Sequence, residues 1–243
     1  YEIYRCDWSS DVCSSDLFSG NVLRPLIRMV PRLPHISRIS SATILECEDG
    51  KTGDGGLLLV GDAAVVPRPT SDELAATAVG LAALKKRLTG RNARVALLSY
   101  STHGSASLNE ETGRVIEATK KARDLAGQIG LPGEFDGEMQ LDAALDPKKA
   151  SLKISGSKVA GRADCLVFPD LNSGNIAVKS IQHFGRVRTY GNILVGLRLP
   201  AAELSRGADE EEVLGVAAIV GILAVEYRKL YPEPSSPEVA LGR

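Results

Sequence analysis

The 243-residue sequence contains little of what would define several functional classes. Aromatic residues make up only 5%, which leaves few platforms for stacking nucleobases. Its 29 basic and 30 acidic residues balance, which argues against a general basic face for nucleic acid. The longest apolar run, Val213 to Val225, is shorter than the about 18 residues that a membrane span needs. Four cysteines make no disulfide framework in a chain of this length. We therefore expect a soluble, cytoplasmic α/β protein without nucleic-acid or membrane partners.

The first stretch, residues 1–17, differs from the rest of the chain. It holds two of the four cysteines and the single tryptophan, repeats the triplet Ser-Ser-Asp, and shows neither helical nor strand periodicity. It resembles the translation of a sequencing-adapter junction. The alternatives are a metal or disulfide hairpin on Cys6 and Cys13, or a native terminus without regular structure. We expect residues 1–17 to be non-native and the native sequence, truncated at its N-terminus, to start near Phe18.

Strand-like and helix-like segments alternate in the remaining sequence. Apolar runs predict strands over 42–47, 57–60, 94–100, 165–168 and 187–195. Amphipathic or capped stretches predict helices over 71–88, 108–129, 172–184 and 209–229, with a short helix or turn over 21–30. Thr70 or Ser71 is expected to cap the first long helix, and the last helix, apolar all round, to be covered on more than one side. This alternation predicts a three-layer α/β/α fold with a mostly parallel sheet, whose ligands bind beyond the carboxyl ends of the strands.

The turn before the last helix, Leu204 to Asp209, is a candidate anion site. Ser205 and Arg206 would offer a hydroxyl and a guanidinium beside the free N–H groups of a helix N-terminus. The alternative is purely structural. Asp209 and Glu212 have the spacing of a capping box, and Arg206 could form a surface ion pair. The pattern alone leaves both interpretations open.

Two further polar segments follow predicted strands. The loop from Ser99 to Ser107 could hold a phosphate, although it lacks the ending of a Walker loop, and His103 could shuttle protons or simply be solvated. The junction from Phe168 to Ile176 could face a ligand, with Lys179 one turn into the helix. Its alternative is an ordinary helix start capped by Asn172 or Ser173, with Lys179 in solvent.

The remaining cysteines and histidines give no sign of reactive or metal chemistry. Cys47 and Cys165 lie in apolar strands, where inert buried thiols are expected. His35 and His183 have no carboxylate or cysteine pattern around them, so no metal site is predicted.

Taken together, these segments resemble the phosphate acetyltransferase (phosphotransacetylase) family and its phosphate acyl/butyryltransferase relatives. The matching segments follow one another in register from about Val22 to Tyr227, and the Leu-Ser-Arg-Gly segment is closer to the acetyl branch. They are VLRP at 22–25, GDAAVVPRPTSDELA at 61–75, LLSYSTHGSAS at 97–107, DGEMQLDAAL at 136–145, PDLNSGNIAVK at 169–179 and GNILVGLRLPAAELSRGADEEEV at 191–213.

The resemblance implies a two-domain architecture like that of isocitrate and isopropylmalate dehydrogenases, an active site between the domains, and a homodimer. The first domain would be incomplete: residues 18–40 its remnant and linker, 41–200 the second domain, 201–230 the turn and helix returning to domain 1, and 231–243 a flexible tail. The implied reaction moves an acetyl group between acetyl phosphate and coenzyme A, as in acetate metabolism. Coenzyme A is then a substrate, with no permanent cofactor, metal or covalent intermediate.

The resemblance also assigns roles to individual residues. Ser205, Arg206 and Glu212 fall on the catalytic positions. Substrate-binding positions fall on Arg24, Ser101, Thr102, Gly104, Ser105, Asn175 and Lys179. Three residues depart from the family pattern: Glu212 replaces the usual Asp, His103 a common Lys, and Asn192 a common Pro. A butyryl-transferring enzyme, a non-catalytic regulatory or oligomerisation domain, and a domain binding another phosphorylated ligand are the alternatives.

Overall fold

A computed structural model describes residues 28–34, 36–205 and 207–230. The predictions for residues 1–17, for the tail 231–243 and for most of the turn over 21–30 lie outside this range. Within it, seven strands and six helices alternate along the chain. The strands are β1 (Ser40–Cys47), β2 (Leu57–Gly61), β3 (Ala93–Leu98), β4 (Gly133–Met139), β5 (Cys165–Val167), β6 (Val187–Val195) and β7 (Ala201–Glu203). The helices are α1 (Ser71–Thr89), α2 (Glu110–Gln128), α3 (Leu141–Leu145), α4 (Pro147–Lys153), α5 (Leu171–Phe184) and α6 (Glu210–Leu230).

The strands form one sheet in the order β4-β3-β5-β2-β1-β6-β7. The first four of these are parallel neighbours, whereas β1, β6 and β7 pair antiparallel. Because β6 is antiparallel to β1, it runs in the same direction as β2. Five of the seven strands therefore point the same way, and the expectation of a mostly parallel sheet is confirmed.

Helices cover both faces of this sheet. Alternate strand residues point to opposite sides, and each side has its own apolar core. Helices α1, α2 and α6 pack on one side, against strand residues such as Ile44, Val95 and Val167. Helices α3 and α5 pack on the other, against Leu45, Val60 and others. The predicted three-layer arrangement is confirmed.

The predicted elements lie within a few residues of the observed ones, with four omissions. Strands β4 and β7 and the short helices α3 and α4 were not expected. Thr70, one of the two predicted cap residues, caps α1. Its side chain and that of Glu73 form a capping box. The predicted cap of α5 is wrong. Asp170, rather than Asn172 or Ser173, accepts the hydrogen bond from the Ser173 amide at 2.8 Å.

The last helix is buried along one side. Val216 and Leu223 of α6 are buried against the sheet and α1, whereas Leu214, Ile222 and Val225 are 73%, 50% and 56% exposed. The described residues cover only the first of these sides, and the further cover that the all-round apolar sequence predicts stays a prediction. Strand β7 pairs with β6 and extends the same sheet beyond residue 200. Among the described residues, no helix combines the length and apolarity needed to cross a membrane.

Candidate functional site

Two adjoining cavities lie where α5, β6 and the start of α6 meet. Both are lined by Lys179, Gln182, Ser205 and Glu212. The large cavity, about 370 Å³, adds Val187, Arg188, Thr189, Tyr190, Gly207, Asp209 and Glu211 to these four. The small cavity, about 50 Å³, adds Thr43, Ala63, Ala64, Asn175, Val178, Gly191 and Asn192. The structure therefore brings together four of the predicted site residues: Asn175, Lys179, Ser205 and Glu212.

The first turn of α6 places Glu212 at the boundary between the cavities. Asp209 precedes the helix, and its carboxylate accepts a hydrogen bond from the Glu212 amide at 2.8 Å. This is the first half of the capping box that the sequence suggests. Since the Glu212 side chain also lines both cavities, the capping and the functional interpretations of this segment are compatible.

The surroundings of Glu212 make its carboxyl group a better base than an ordinary glutamate. Burial raises the pKa of Glu212 above its usual value of 4.5, and the nearby charge of Asp209 raises it further. The ammonium group of Lys179 and the Gly191 amide act in the opposite direction. The net effect is a raised pKa, which makes this carboxylate a stronger base than an exposed glutamate.

Helix α5 is held against the end of β2 by a close backbone approach. A Cβ atom at Gly174 would overlap the carbonyl oxygen of Asp62 and lie 3.3 Å from Ala63 Cα, so only glycine fits there. One residue later, the side-chain amide of Asn175 donates a hydrogen bond to the backbone carbonyl of Ala63 at 3.1 Å. One turn further along, the Lys179 ammonium donates to the Gln182 side chain at 3.0 Å. These contacts fix the position of α5 relative to the cavities.

The segment after β2 is organised by the buried side chain of Asp62. Its carboxylate accepts hydrogen bonds from the amides of Ala64, Val65 and Val66 at 3.0, 3.1 and 2.7 Å. It also accepts hydrogen bonds from the amide of Ser41, at 3.2 Å, and from the Ser41 hydroxyl. The wall that Ala63 and Ala64 give to the small cavity is thus tied to the sheet through one carboxylate.

The serine-rich loop after β3 is not part of either cavity. The buried Ser101 hydroxyl donates to the Glu138 carboxylate at 2.9 Å, and the Gly104 amide donates to the same oxygen at 2.8 Å. The Thr102 amide donates to the Ser105 hydroxyl at 2.9 Å. The structure thus does not bring Ser101, Thr102, Gly104 and Ser105 to the site of Ser205 and Glu212. Their predicted substrate contacts stay predictions.

Some of the predicted site residues cannot be placed. Arg24 and Arg206 lie outside the described residues, as does His35. His103 lies 3.3 Å from an Asp136 carboxylate oxygen.

Burial raises the pKa of the Cys165 thiol strongly and that of Cys47 as well, consistent with unreactive thiols. In the part of the chain that the structure describes, no cluster of His, Cys, Asp and Glu could hold a metal ion.

Sequence patterns carry no functional signal for the residues that complete the small cavity. Thr43 lies within a strand and Val178 within a helix, and both fit ordinary patterns for their elements. Asn192 stands out only as a departure from a family proline. Its side-chain oxygen accepts a hydrogen bond from the Thr43 hydroxyl at 3.3 Å, and its side-chain amide donates to the Glu203 carboxylate at 3.0 Å. These two hydrogen bonds link β1, β6 and β7 beside the cavity.

Comparison with known proteins places the chain in a family. The family model described as "Phosphate acetyl/butaryl transferase" matches residues 10–221. The chain belongs to this family. The match begins inside residues 1–17, the stretch that we predict to be non-native. The predicted resemblance to the phosphate acetyl/butyryl transferases is confirmed.

Individual members of this transferase family support the assignment. The phosphate acetyltransferase of Clostridium acetobutylicum is 41% identical over 209 residues, which are 85% of this chain and 60% of that protein. The one from Acetivibrio thermocellus is 38% identical over 206 residues, with the same coverage of both chains. A phosphotransacetylase from Streptococcus pyogenes aligns with a TM-score of 0.77 at 35% identity, covering 88% of this chain and 62% of that one. The chain thus spans about three fifths of the length of these relatives.

The charges around Glu212 in this phosphotransacetylase-like site predict opposite pKa changes in two variants. Asp209→Asn removes a negative neighbour and should lower the pKa of Glu212, while asparagine still caps the helix. Lys179→Met removes a positive neighbour and should raise that pKa. An NMR titration of the Glu212 side-chain carboxyl carbon measures both. Shifts of the same sign in the two variants would contradict this account of the site.

Proposed function

We propose that the protein is an acyltransferase that moves an acetyl group reversibly between acetyl phosphate and coenzyme A. The observation that carries the proposal is the convergence of Lys179, Ser205 and Glu212 on two adjoining cavities, with the pKa of Glu212 raised. The family assignment and the relatives named phosphate acetyltransferase support it. The location of the site, at a turn that opens a helix, is favourable for phosphorylated substrates.

The charges lining the large cavity indicate which residue holds the phosphate. Lys179 and Arg188 contribute two cations, and Arg188 lies 3.7 Å from the Glu211 carboxylate. Asp209, Glu211 and Glu212 contribute three carboxylates, so these side chains carry no surplus of positive charge. A dianionic phosphate therefore needs a further cation. We assign this role to Arg206, which the resemblance places in the same turn, with Lys179 as the second phosphate contact.

The proposed reaction begins with deprotonation of the coenzyme A thiol. A free thiol has a pKa of about 8.5, so a base must remove its proton at neutral pH. The Glu212 carboxylate takes that proton, and the sulfur forms a bond to the acetyl carbonyl carbon. The Ser205 hydroxyl donates to the oxyanion that develops. The bond between the carbon and the phosphate oxygen then breaks, and the phosphate leaves with the electron pair and receives the proton. Arg206 and Lys179 stabilise its charge.

The remaining parts of the proposal concern the whole protein. They comprise a cytoplasmic homodimer, with coenzyme A as substrate and no permanent cofactor, and a two-domain fold like that of isocitrate and isopropylmalate dehydrogenases. The exposed apolar side of α6, with Leu214, Ile222 and Val225, supports a contact between this helix and a further unit. Substrate contacts by Arg24 and the serine-rich loop rest on the family resemblance alone.

The test is thioester formation from acetyl phosphate and coenzyme A, followed by absorbance. Glu212→Gln should lower kcat/KM by about a hundredfold or more, as is typical when a general base is lost. Arg206→Ala should reduce turnover and raise KM for acetyl phosphate. Glu210→Gln is the matched control, because Glu210 is exposed in the same helical turn and lines neither cavity. It should leave the rate unchanged.

The outcomes separate the function from the residue roles. An active chain in which Glu212→Gln and Glu210→Gln behave alike would refute Glu212 as the base. A folded chain that forms no thioester, yet is stabilised against heat by coenzyme A, would support a non-catalytic binding domain instead.

A further inference from the structure

The small cavity differs from the large one in both size and lining. Its volume is about 50 Å³, against about 370 Å³ next door. One wall is apolar, formed by Ala63, Ala64 and Val178, and Ala63 and Val178 are only 4% and 6% exposed. Most of the remaining lining is polar and includes Thr43 and Asn192. Ser205 and Glu212 stand where the two cavities meet.

We propose that the small cavity is the acyl pocket and that Val178 and Ala64 limit the acyl group to short chains. This inference rests on the proposed function, since it takes Ser205 and Glu212 as the reacting centre. The large cavity then receives the phosphate or the end of the coenzyme A chain, and the methyl group of acetyl phosphate points at the apolar wall. An acyl group needs this arrangement, with one apolar end and a polar carbonyl beside hydrogen-bonding groups.

The volume of the small cavity matches an acetyl group. A cavity needs about 10–15 Å³ to hold one water-sized group, so the small cavity of 50 Å³ accommodates about three or four such groups. An acetyl group has three non-hydrogen atoms and a butyryl group has five. The apolar wall therefore accepts the methyl group of acetyl and excludes the two further carbons of butyryl.

The wall cannot widen easily around a longer chain. Its α5 side is held by the hydrogen bond from the Asn175 side-chain amide to the Ala63 carbonyl and by the packing of Val178 in the apolar core. Its β2 side is fixed by the amide hydrogen bonds to the Asp62 carboxylate. Discrimination against longer chains then comes from side-chain volume at two positions. A difference of one methylene in an apolar pocket is worth roughly 10- to 200-fold in kcat/KM.

The experiment compares acetyl phosphate and butyryl phosphate as substrates for paired variants. Val178→Ala enlarges the pocket and should raise the butyryl-to-acetyl ratio of kcat/KM about tenfold or more. Ala64→Val fills it and should lower the same ratio. Val159→Ala is the matched control: Val159 is buried in the same core, at 1% exposure, but lines neither cavity. It should cost similar stability and leave the ratio unchanged.

A second measurement makes the test independent of turnover. Dissociation constants of acetyl- and butyryl-coenzyme A, determined by calorimetry on the same variants, should change in the same directions. Thioester formation with an unmoved acyl ratio in Val178→Ala and Ala64→Val would overturn the acyl pocket while leaving the proposed function intact. Failure of the unchanged chain to form any thioester would count against the proposed function. If the unchanged chain forms no thioester and Val178→Ala changes the dissociation constants of acetyl- and butyryl-coenzyme A equally, the acyl pocket is overturned as well.

Discussion

Asp62→Ala should destabilise the protein by more than about 4 kcal/mol, among the largest effects of a single substitution. The carboxylate is 5% exposed and accepts hydrogen bonds from four amides and one hydroxyl. Alanine would leave these donors without their partner in a buried setting, and each unsatisfied buried group costs roughly 1–3 kcal/mol. Urea titration of the purified variant measures the loss through the midpoint.

The control for Asp62 is a second hydrogen-bonded aspartate in solvent. Asp49 accepts hydrogen bonds from the Lys51 amide and from the amide and hydroxyl of Thr52, and it is exposed. Water replaces the carboxylate there, so Asp49→Ala should cost much less stability than Asp62→Ala. Similar losses of stability in Asp62→Ala and Asp49→Ala would show that burial is not the reason for the importance of Asp62.

Lys85→Met is expected to destabilise the protein by about 3–5 kcal/mol, the usual cost of breaking a buried ion pair. The Lys85 side chain is 1% exposed, and its ammonium lies 2.5 Å from Asp164 and 3.2 Å from Asp54. Asp164 is fully buried and also pairs with Arg94 at 2.9 Å. Methionine fills a similar volume but leaves two carboxylates with less positive charge nearby. Chemical denaturation with an unchanged m-value would identify a loss of native-state stability.

Two further variants test this account of Lys85. Lys120→Met makes the same change at an exposed position of α2 and should stay within about 0.5 kcal/mol of the unchanged protein. Adding Asp164→Leu to Lys85→Met should recover part of the loss, since it removes the uncompensated charge. A Lys85→Met protein as stable as Lys120→Met would show that the buried pair contributes nothing to stability.

The strongly patterned elements of this fold could be predicted from the sequence. The cap signal at Thr70 or Ser71 and the apolar runs of β1, β2 and β5 predict their elements to within about two residues, as local signals should. Strand β4 was missed because its sequence, GEFDGEM, carries charged residues and glycines that alternate poorly with apolar ones. It forms a strand because it pairs in register with β3. Strand β7 has only three residues, too few for a period.

The candidate site was predictable only in part, for a similar reason. Ser205, Glu212, Asn175 and Lys179 occur in recognisable segments, so the family pattern pointed to them. Their convergence with Thr43, Ala63 and Val178 depends on sheet order and on a single backbone approach at Gly174. No local stretch of sequence specifies the sheet order or this backbone approach. The serine-rich loop is a separate case: its polar groups are hydrogen-bonded within the protein and lie outside both cavities, and its predicted substrate contacts stay predictions.

The backbone approach at Gly174 has a consequence for selection experiments. Because helix α5 already touches the chain after β2 there, the distance between them has a hard minimum and any side chain at 174 acts as a spacer. Libraries selected for transfer of longer acyl groups should therefore retain glycine at 174. Their solutions should instead trim Val178 or Ala64, which keeps the helix in place and retains most of the stability.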